Sequence, residues 1–481
     1  MTTAAVSACA ILAEQVERTR QNSKADIERF IEECELKITS LEWQIRTLRD
    51  RERSYVDAPQ DITSQIHTLV ELRDRERLCA DSLRYIISPI NTLPTELLVE
   101  IFRFAIDEET HIKDAYRISQ ICSEWREIAH ATPLLWTQPI CVDLGSRKIY
   151  GREHYVDGLE SWLARSAPLP VPVLLKLGRG NIDPRALEVV LGIAPRIRSL
   201  HCGNYFPLAL LSQLAGCRLD SLEELEMGLA DDSPNISESP ALTMVPRLRK
   251  LTMTLYSDEP HVLSPWPQII DLTLDSNSPN LILDILAQCT GLTHTSICTS
   301  GWPVYVAAQL EQPPLAFSHL HTLSLEFGYP QHVMGFLGSL SAPVLETLHL
   351  NFLEMQDKMQ SKLSLAPFLM QSPNITRLEI RCGQDALTSH ELIVALEHTV
   401  HLTHLKLVDP YEHSLDDALI DALTYNDDVA TLVPNLCYLV LDNIDEDGIS
   451  TAALERLFVS RCHLELWGKF SKEFVDSMET L

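Results

Sequence analysis

The sequence predicts an α/β chain in which parallel strands alternate with helices along a solenoid, preceded by all-α segments. Three observations carry this expectation. The pattern LxxLxL recurs from residue 197 onward, stretches with an apolar face at helical spacing fall between its copies, and residues 27–86 carry heptads instead. With 45% hydrophobic and 22% charged residues, the 481-residue chain has globular composition and is long enough for more than one structural unit.

The N-terminal region, residues 1–88, is predicted to be helical. Ile27, Ile31, Cys34, Ile38, Leu41, Ile45 and Leu48 alternate in steps of four and three, the a/d seam of a coiled coil. Tyr55, Asp57 and Pro59 interrupt the helix, because proline disfavours helical geometry in the residue before it. A second stripe follows through Ile62, Ile66, Leu69, Leu72, Cys79, Leu83 and Ile86. Two antiparallel helices of one chain, or a coil between two copies, would each bury these stripes. The second alternative makes a homodimer through the N-terminal heptads an expectation.

Residues 89–140 change character. Pro89 breaks the charged helix, and Leu93 with Pro94 opens a new one, proline being tolerated where its missing N–H has no helical partner. Leu97, Leu98, Ile101, Phe102 and Ala105 recur at helical spacing, and an acidic insert, Asp107 to Glu109, follows. A second amphipathic pattern then carries Ile118, Ile121, Cys122, Trp125 and Ile128, and a third element ends in Leu134, Leu135 and Trp136. Three short helices with this many large apolar residues enclose little core, so part of the apolar surface is expected to face a partner.

The strings ISPINTLPTELLVEIFRFAIDE and YRISQICSEWREIAHATPLLWTQPI resemble an F-box, in particular those of mushroom-forming fungi, which carry a heptad-bearing helix just upstream. The resemblance rests on Leu93-Pro94, Glu96, Leu97-Leu98, Ile101-Phe102, Ile118, Ile121-Cys122, Trp125-Arg126 and Leu135-Trp136. It implies a non-enzymatic adaptor of an SCF-type ubiquitin ligase, which docks on the Skp-type adaptor and through it on the cullin core. It further implies that Leu93, Pro94, Leu97, Ile101, Phe102, Ile121 and Trp125 form or support that contact.

A connecting helix or linker is assigned to residues 141–165, and the repeats to residues 166–481. Copies of the pattern include Ile197/Leu200/Cys202, Leu222/Leu225/Met227, Leu248/Leu251/Met253, Ile269/Leu272/Leu274, Leu320/Leu323/Leu325 and Leu345/Leu348/Leu350. They continue as Ile375/Leu378/Ile380, Leu402/Leu405/Leu407, Leu436/Leu439/Leu441 and Leu454/Leu457/Val459, with Leu292/Thr295/Ile297 degenerate. Their spacing of about 20 to 30 residues is that of leucine-rich repeats. Between them, 206–214, 281–289, 332–340, 389–398 and 415–423 read as helices. Caps are expected at both ends: the Trp162-Leu163 helix with the strand Val171 to Leu177 in front, and a helix over Phe470 to Met478 behind.

A formal charge of −28 argues against general affinity for nucleic acid or anionic membranes, and no apolar run is long enough to span a bilayer. Without a basic N-terminal region ahead of an apolar stretch, no secretory signal is expected, and the chain is predicted to be cytoplasmic, nuclear or both. The 12 cysteines never fall as CxxC, and GxxxxGK[ST], GxGxxG after a strand, HExxH and GxSxG do not occur. An enzyme is therefore disfavoured, and neither cofactor nor metal is expected. Asn443, Asp445, Asp447 and Gly448 imitate the start of a calcium loop, but its twelfth position is Leu454 rather than glutamate. His319, His321, His401 and His404 flank strand leucines and read as solvated, and Asp416-Asp417 falls at a helix start.

In a strand the residues between inward leucines point to the other face. Those positions give Arg377, Arg381, His404, Lys406, Tyr438, Arg456 and Phe458, with Glu379 among them. Basic and aromatic groups on neighbouring strands suggest a site for an acidic or phosphorylated segment of a substrate protein. The competing reading is a set of solvated positions neutralised by Glu379 and nearby acidic loops. Two further alternatives are a leucine-rich-repeat interaction scaffold not coupled to a ligase, and an enzyme whose site carries no recognised motif.

Overall fold

Ser23 opens the long N-terminal helix: its hydroxyl accepts the Asp26 N–H at 3.3 Å while the Asp26 carboxylate accepts the Ser23 N–H at 3.2 Å. In this computed structural model the described residues are 3–54, 60–106, 111–145, 152–177, 182–203, 206–229, 242–256, 265–299, 314–328, 330–352, 364–382, 387–408, 415–425, 431–442, 449–461 and 463–468. Two units divide the chain, residues 1–132 and 133–481.

The first unit is helical. It contains α1 (Thr3–Thr19), α2 (Lys24–Ser54), α3 (Gln60–Ile86), α4 (Thr95–Ala105), α5 (His111–Ile121) and α6 (Ser123–Ala131). Cross-helix pairs Glu52–Thr63, Glu42–Arg77 and Glu35–Arg84 run in opposite senses along α2 and α3, so the two form an antiparallel hairpin. Ile27, Ile31 and Cys34 of the first heptad stripe are buried with Ala80 and Leu83, flanked by Phe30, Ile38 and Cys79. The seam is thus closed within one chain, and α1 packs on α3. The expected break at Tyr55, Asp57 and Pro59 and the acidic insert Asp107 to Glu109 lie outside the described residues.

The second unit is a repetitive α/β structure. Its elements are β1 (Ile140–Asp143), α7 (Arg152–Arg165), β2 (Val171–Lys176), α8 (Pro184–Gly192), β3 (Ile197–Cys202), α9 (Leu208–Ala215), β4 (Glu224–Leu229), β5 (Lys250–Leu255) and β6 (Asp271–Ser276). There follow α10 (Pro279–Gln288), β7 (His294–Thr299), β8 (Leu315–Ala316), β9 (Thr322–Phe327), α11 (Pro330–Gly338), β10 (Leu340–Ser341), β11 (Thr347–Phe352) and α12 (Ala366–Gln371). The last are β12 (Arg377–Cys382), α13 (Ser389–Leu396), β13 (His404–Val408), α14 (Asp417–Leu423), β14 (Tyr438–Asp442), α15 (Thr451–Ser460) and β15 (Glu465–Gly468).

Among the described residues, 13 strands form one sheet in chain order, interrupted in numbering only by β8 and β10, which pair with each other. Every pairing between these strands is parallel, and the register stacks like on like. Leu200, Leu225, Leu251, Leu272, Thr295, Leu323, Leu348, Leu378, Leu405 and Leu439 form one row. All of these are buried. Burying one such leucine is worth about 1.5 to 3 kcal/mol, so the row repeats a substantial contribution at each strand. Thr295, the degenerate copy, keeps its place because its hydroxyl donates to the Leu272 carbonyl at 3.1 Å. Helices begin on side-chain caps where the sequence supplies them: Thr388 and Glu391 make a capping box for α13, and Asp416 accepts the Leu419 N–H for α14.

Three expectations need correction or extension. Leu454, Leu457 and Val459 belong to α15 rather than to a strand: Leu454 and Leu457 are buried one helical turn apart, Val459 is exposed, and Ser450 caps the helix through the Ala453 N–H. The sheet continues instead into β15. It also starts earlier than expected, since β1 pairs with β2 inside the stretch read as the end of the three-helix segment and the linker. The front helix and strand are present as α7 and β2, with Trp162 and Leu163 buried. The expected C-terminal helix over Phe470 to Met478 lies outside the described residues. No helix among the described residues is long and apolar enough to cross a membrane.

Candidate protein-docking surfaces

Amphipathicity divides α4 into two faces. Leu98 and Phe102, one turn apart, are buried, and the Phe102 ring meets Trp125 of α6 at 4.8 Å between centroids. The other face carries Leu97, Ile101 and Phe104 at the i, i+4, i+7 spacing, exposed by 51%, 39% and 89%. Ile121, at the end of α5, is 57% exposed. Apolar side chains at this density on one face of short helices are what a protein interface uses.

The seven residues predicted to form the adaptor contact therefore separate into two groups. Pro94, Leu97, Ile101 and Ile121 are exposed, whereas Phe102 is core, and Leu93 and Trp125 are half-buried in supporting positions. Phe104 was missed, although its spacing of seven from Leu97 was readable. Contacts of Cys122 brace the junction of α5 and α6. The Cys122 thiol caps α6 by accepting the Trp125 N–H at 3.4 Å. A hydrogen bond with Cys122, together with burial, pushes the Tyr85 hydroxyl up to about 12. Leu135 and Trp136 belong to the second unit and are buried there, Trp136 edge-on against Trp162 at 4.8 Å.

The second surface is the face of the sheet opposite the buried leucines. Across β12 to β15 the register aligns Arg377, His404, Tyr438 and Glu465 in one row, and Glu379, Lys406, Val440 and Trp467 in the next. Arg381 lies two residues beyond Glu379 and opposite Val408. His404 stacks on Tyr438, 4.3 Å between centroids and 16° from parallel. Burial, followed by the charge of Arg377, holds the His404 pKa below its ordinary value. Lys406 is committed to Glu379 at 2.6 Å, and His349 meets the same carboxylate at 3.1 Å. Burial works against that charged carboxylate, but Lys406 and His349 outweigh it and hold Glu379 below the usual range.

Five of the seven predicted substrate-contact residues thus share this face: Arg377, Arg381, His404, Lys406 and Tyr438. Arg456 and Phe458 do not, because they lie on α15, where Arg456 pairs with Asp421 at 2.6 Å. Trp467, 62% exposed, occupies the terminal aromatic position on the strand face that was expected of Phe458. His321 meets Glu346 at 3.2 Å, and His319 and His401 are exposed. Asn443, Asp445, Asp447 and Gly448 are outside the described residues.

Compared with known proteins, residues 90–141 match the F-box-like family. This segment is an F-box-like domain. Its α4 to α6 lie in the first unit, and its last residues, 133–141, in the second. No curated protein matches the chain. Among solved structures, a yeast Rad7 and Elc1 complex aligns over 76% of this chain and 98% of the matched chain, with 13% identity and a TM-score of 0.27, too low to show a shared fold.

Proposed function

We propose that this chain is the substrate-recognition adaptor of an SCF-type ubiquitin ligase. The F-box-like domain docks on a Skp-type adaptor, and the second unit, read as a leucine-rich-repeat solenoid, holds the substrate protein. The observation that carries this reading is the exposed apolar set Leu97, Ile101, Phe104 and Ile121 on the F-box-like domain. Such a surface gains its free energy only when a partner covers it. In this reading the chain performs no chemical step, and ubiquitin transfer belongs to other subunits. Its contribution is proximity, which turns an encounter between substrate and charged ubiquitin carrier into a reaction within one assembly.

The test is affinity purification of the full chain with the proteasome inhibited, wild type beside Leu97→Glu. Wild type should bring down Skp-type adaptor and cullin, and Leu97→Glu should lose both while keeping its substrate proteins. Absence of adaptor from the wild-type preparation contradicts the proposal. It favours the second reading, a repeat scaffold not coupled to a ligase, which the same sheet face supports equally well.

A further inference from the structure

Glu379, two residues along β12 from Arg377, is engaged by Lys406 of β13 and His349 of β11, and the two ends of the β12 to β15 face differ in chemistry. Arg377 is exposed, and its cross-strand neighbours, Thr347 on β11 and His404 on β13, carry no negative charge. At the other end Trp467 stands 62% exposed beside Val440, and its indole N–H reaches only the nearby Glu465 at 3.4 Å. Between these ends lies the His404–Tyr438 stack, a flat floor of two nearly parallel rings. The depressed His404 pKa, caused by burial and then by Arg377, is consistent with a positive potential at the β12 end.

We infer that this face binds an extended acidic-apolar segment of a substrate protein, its anionic group at Arg377 and its apolar side chain on Trp467 and Val440. The inference rests on the proposed role of the sheet as the substrate-holding surface. Charge complementarity chooses the polarity: an anion is favoured beside Arg377, and Glu465 disfavours one at the Trp467 end. The aromatic end supplies the large rigid contact on which binding energy concentrates.

Geometry fixes the spacing of the two groups. Arg377 and Trp467 are three strands and two residues apart in the register, which at about 4.8 Å per strand and 3.3 Å per residue is about 16 Å. An extended chain advances about 3.3 to 3.6 Å per residue, so the anionic and apolar residues should be four or five positions apart. A carboxylate and a phosphoserine satisfy this geometry equally, and the experiment separates them.

The experiment probes an array of Gly/Ser peptides with the full chain. Each peptide holds one Phe and one variable residue at separations of one to eight, the variable residue being Asp, phosphoserine, Ser or Lys. Signal should peak at separations of four and five in the Asp series, the phosphoserine series or both, about tenfold above Ser and higher still above Lys. Arg377→Glu should invert the preference towards Lys, and Trp467→Ala should remove the dependence on Phe position. Both side chains are exposed, so neither variant should lose the folded state, which circular dichroism reads. Overturning results are no peptide binding, binding independent of separation, or an unchanged preference in Arg377→Glu. Adaptor purification is read separately: its failure leaves the peptide result standing, and a failed array with intact adaptor and substrate capture removes only this inference.

Discussion

Phe104→Ala separates docking from folding more cleanly than any other change in the F-box-like domain. Its ring is 89% exposed, so nearly all of its apolar surface is available to a partner and almost none supports the fold. Covering a phenylalanine side chain is worth about 1.5 to 3 kcal/mol, which is roughly 10- to 150-fold in Kd. Isothermal titration calorimetry against purified Skp-type adaptor should show weakening in that range, with denaturant unfolding unchanged. Phe102→Ala supplies the contrast: that ring is 1% exposed and packs on Trp125, so its loss should lower stability by about 3 to 5 kcal/mol. A Phe104→Ala chain that binds adaptor within about twofold of wild type would refute the argument, since so small a change corresponds to well under 1 kcal/mol.

Other expectations follow from particular contacts. Arg461 is buried, and its guanidinium donates to the carbonyls of Leu423, Leu432 and Val433 at 2.7, 2.6 and 3.0 Å. It secures the turn in which Val433 holds a φ of 44°, strained for a β-branched residue. Arg461→Ala should lower the stability of the second unit by about 3 kcal/mol or more in thermal unfolding, because three carbonyls lose a charged donor. His404 has a folded pKa below its ordinary 6.5, so the unfolded chain takes up the proton first and this group's contribution falls as pH drops below about 6.5. His404→Gln should flatten stability between about pH 6.5 and 5; an unchanged slope contradicts the assignment. Ile31→Asp places a carboxylate among Ile27, Cys34, Ala80 and Leu83, and should unfold the α2–α3 hairpin, seen as lost helicity by circular dichroism. If the seam instead joined two copies, the wild-type chain would have twice the monomer mass by light scattering and the variant the monomer mass.

Much of this was legible because local pattern and tertiary role coincide. In LxxLxL the buried row is written directly in the sequence, and even Thr295 fell where its hydroxyl could be satisfied. The pattern failed at Leu454, Leu457 and Val459 because its first two positions, three residues apart, also suit one face of a helix, and Ser450 supplied a cap. β15 escaped notice because Glu465, Trp467 and Gly468 offer few leucines to extend the repeat. In α4, spacing identified an amphipathic helix but could not sort its residues, since Leu97 and Leu98 are adjacent and chemically alike. Only their packing shows that Leu98 is buried and Leu97 exposed. Similarly, the heptads of α2 gave the seam, whereas the ion pairs from Glu35 and Glu42 to α3 reveal that it closes on the same chain.

In the proposed function, a Skp-type adaptor docks on the exposed face of α4 and α5. Hydroxyl-radical footprinting of the full chain, free and with saturating purified adaptor, measures this directly by reading side-chain exposure residue by residue. Leu97, Ile101, Phe104 and Ile121 should lose most of their reactivity on adaptor addition, while Trp467 and Val459, exposed in the second unit, should keep theirs. A complex that forms while Phe104 and Leu97 stay as reactive as in the free chain would contradict the account.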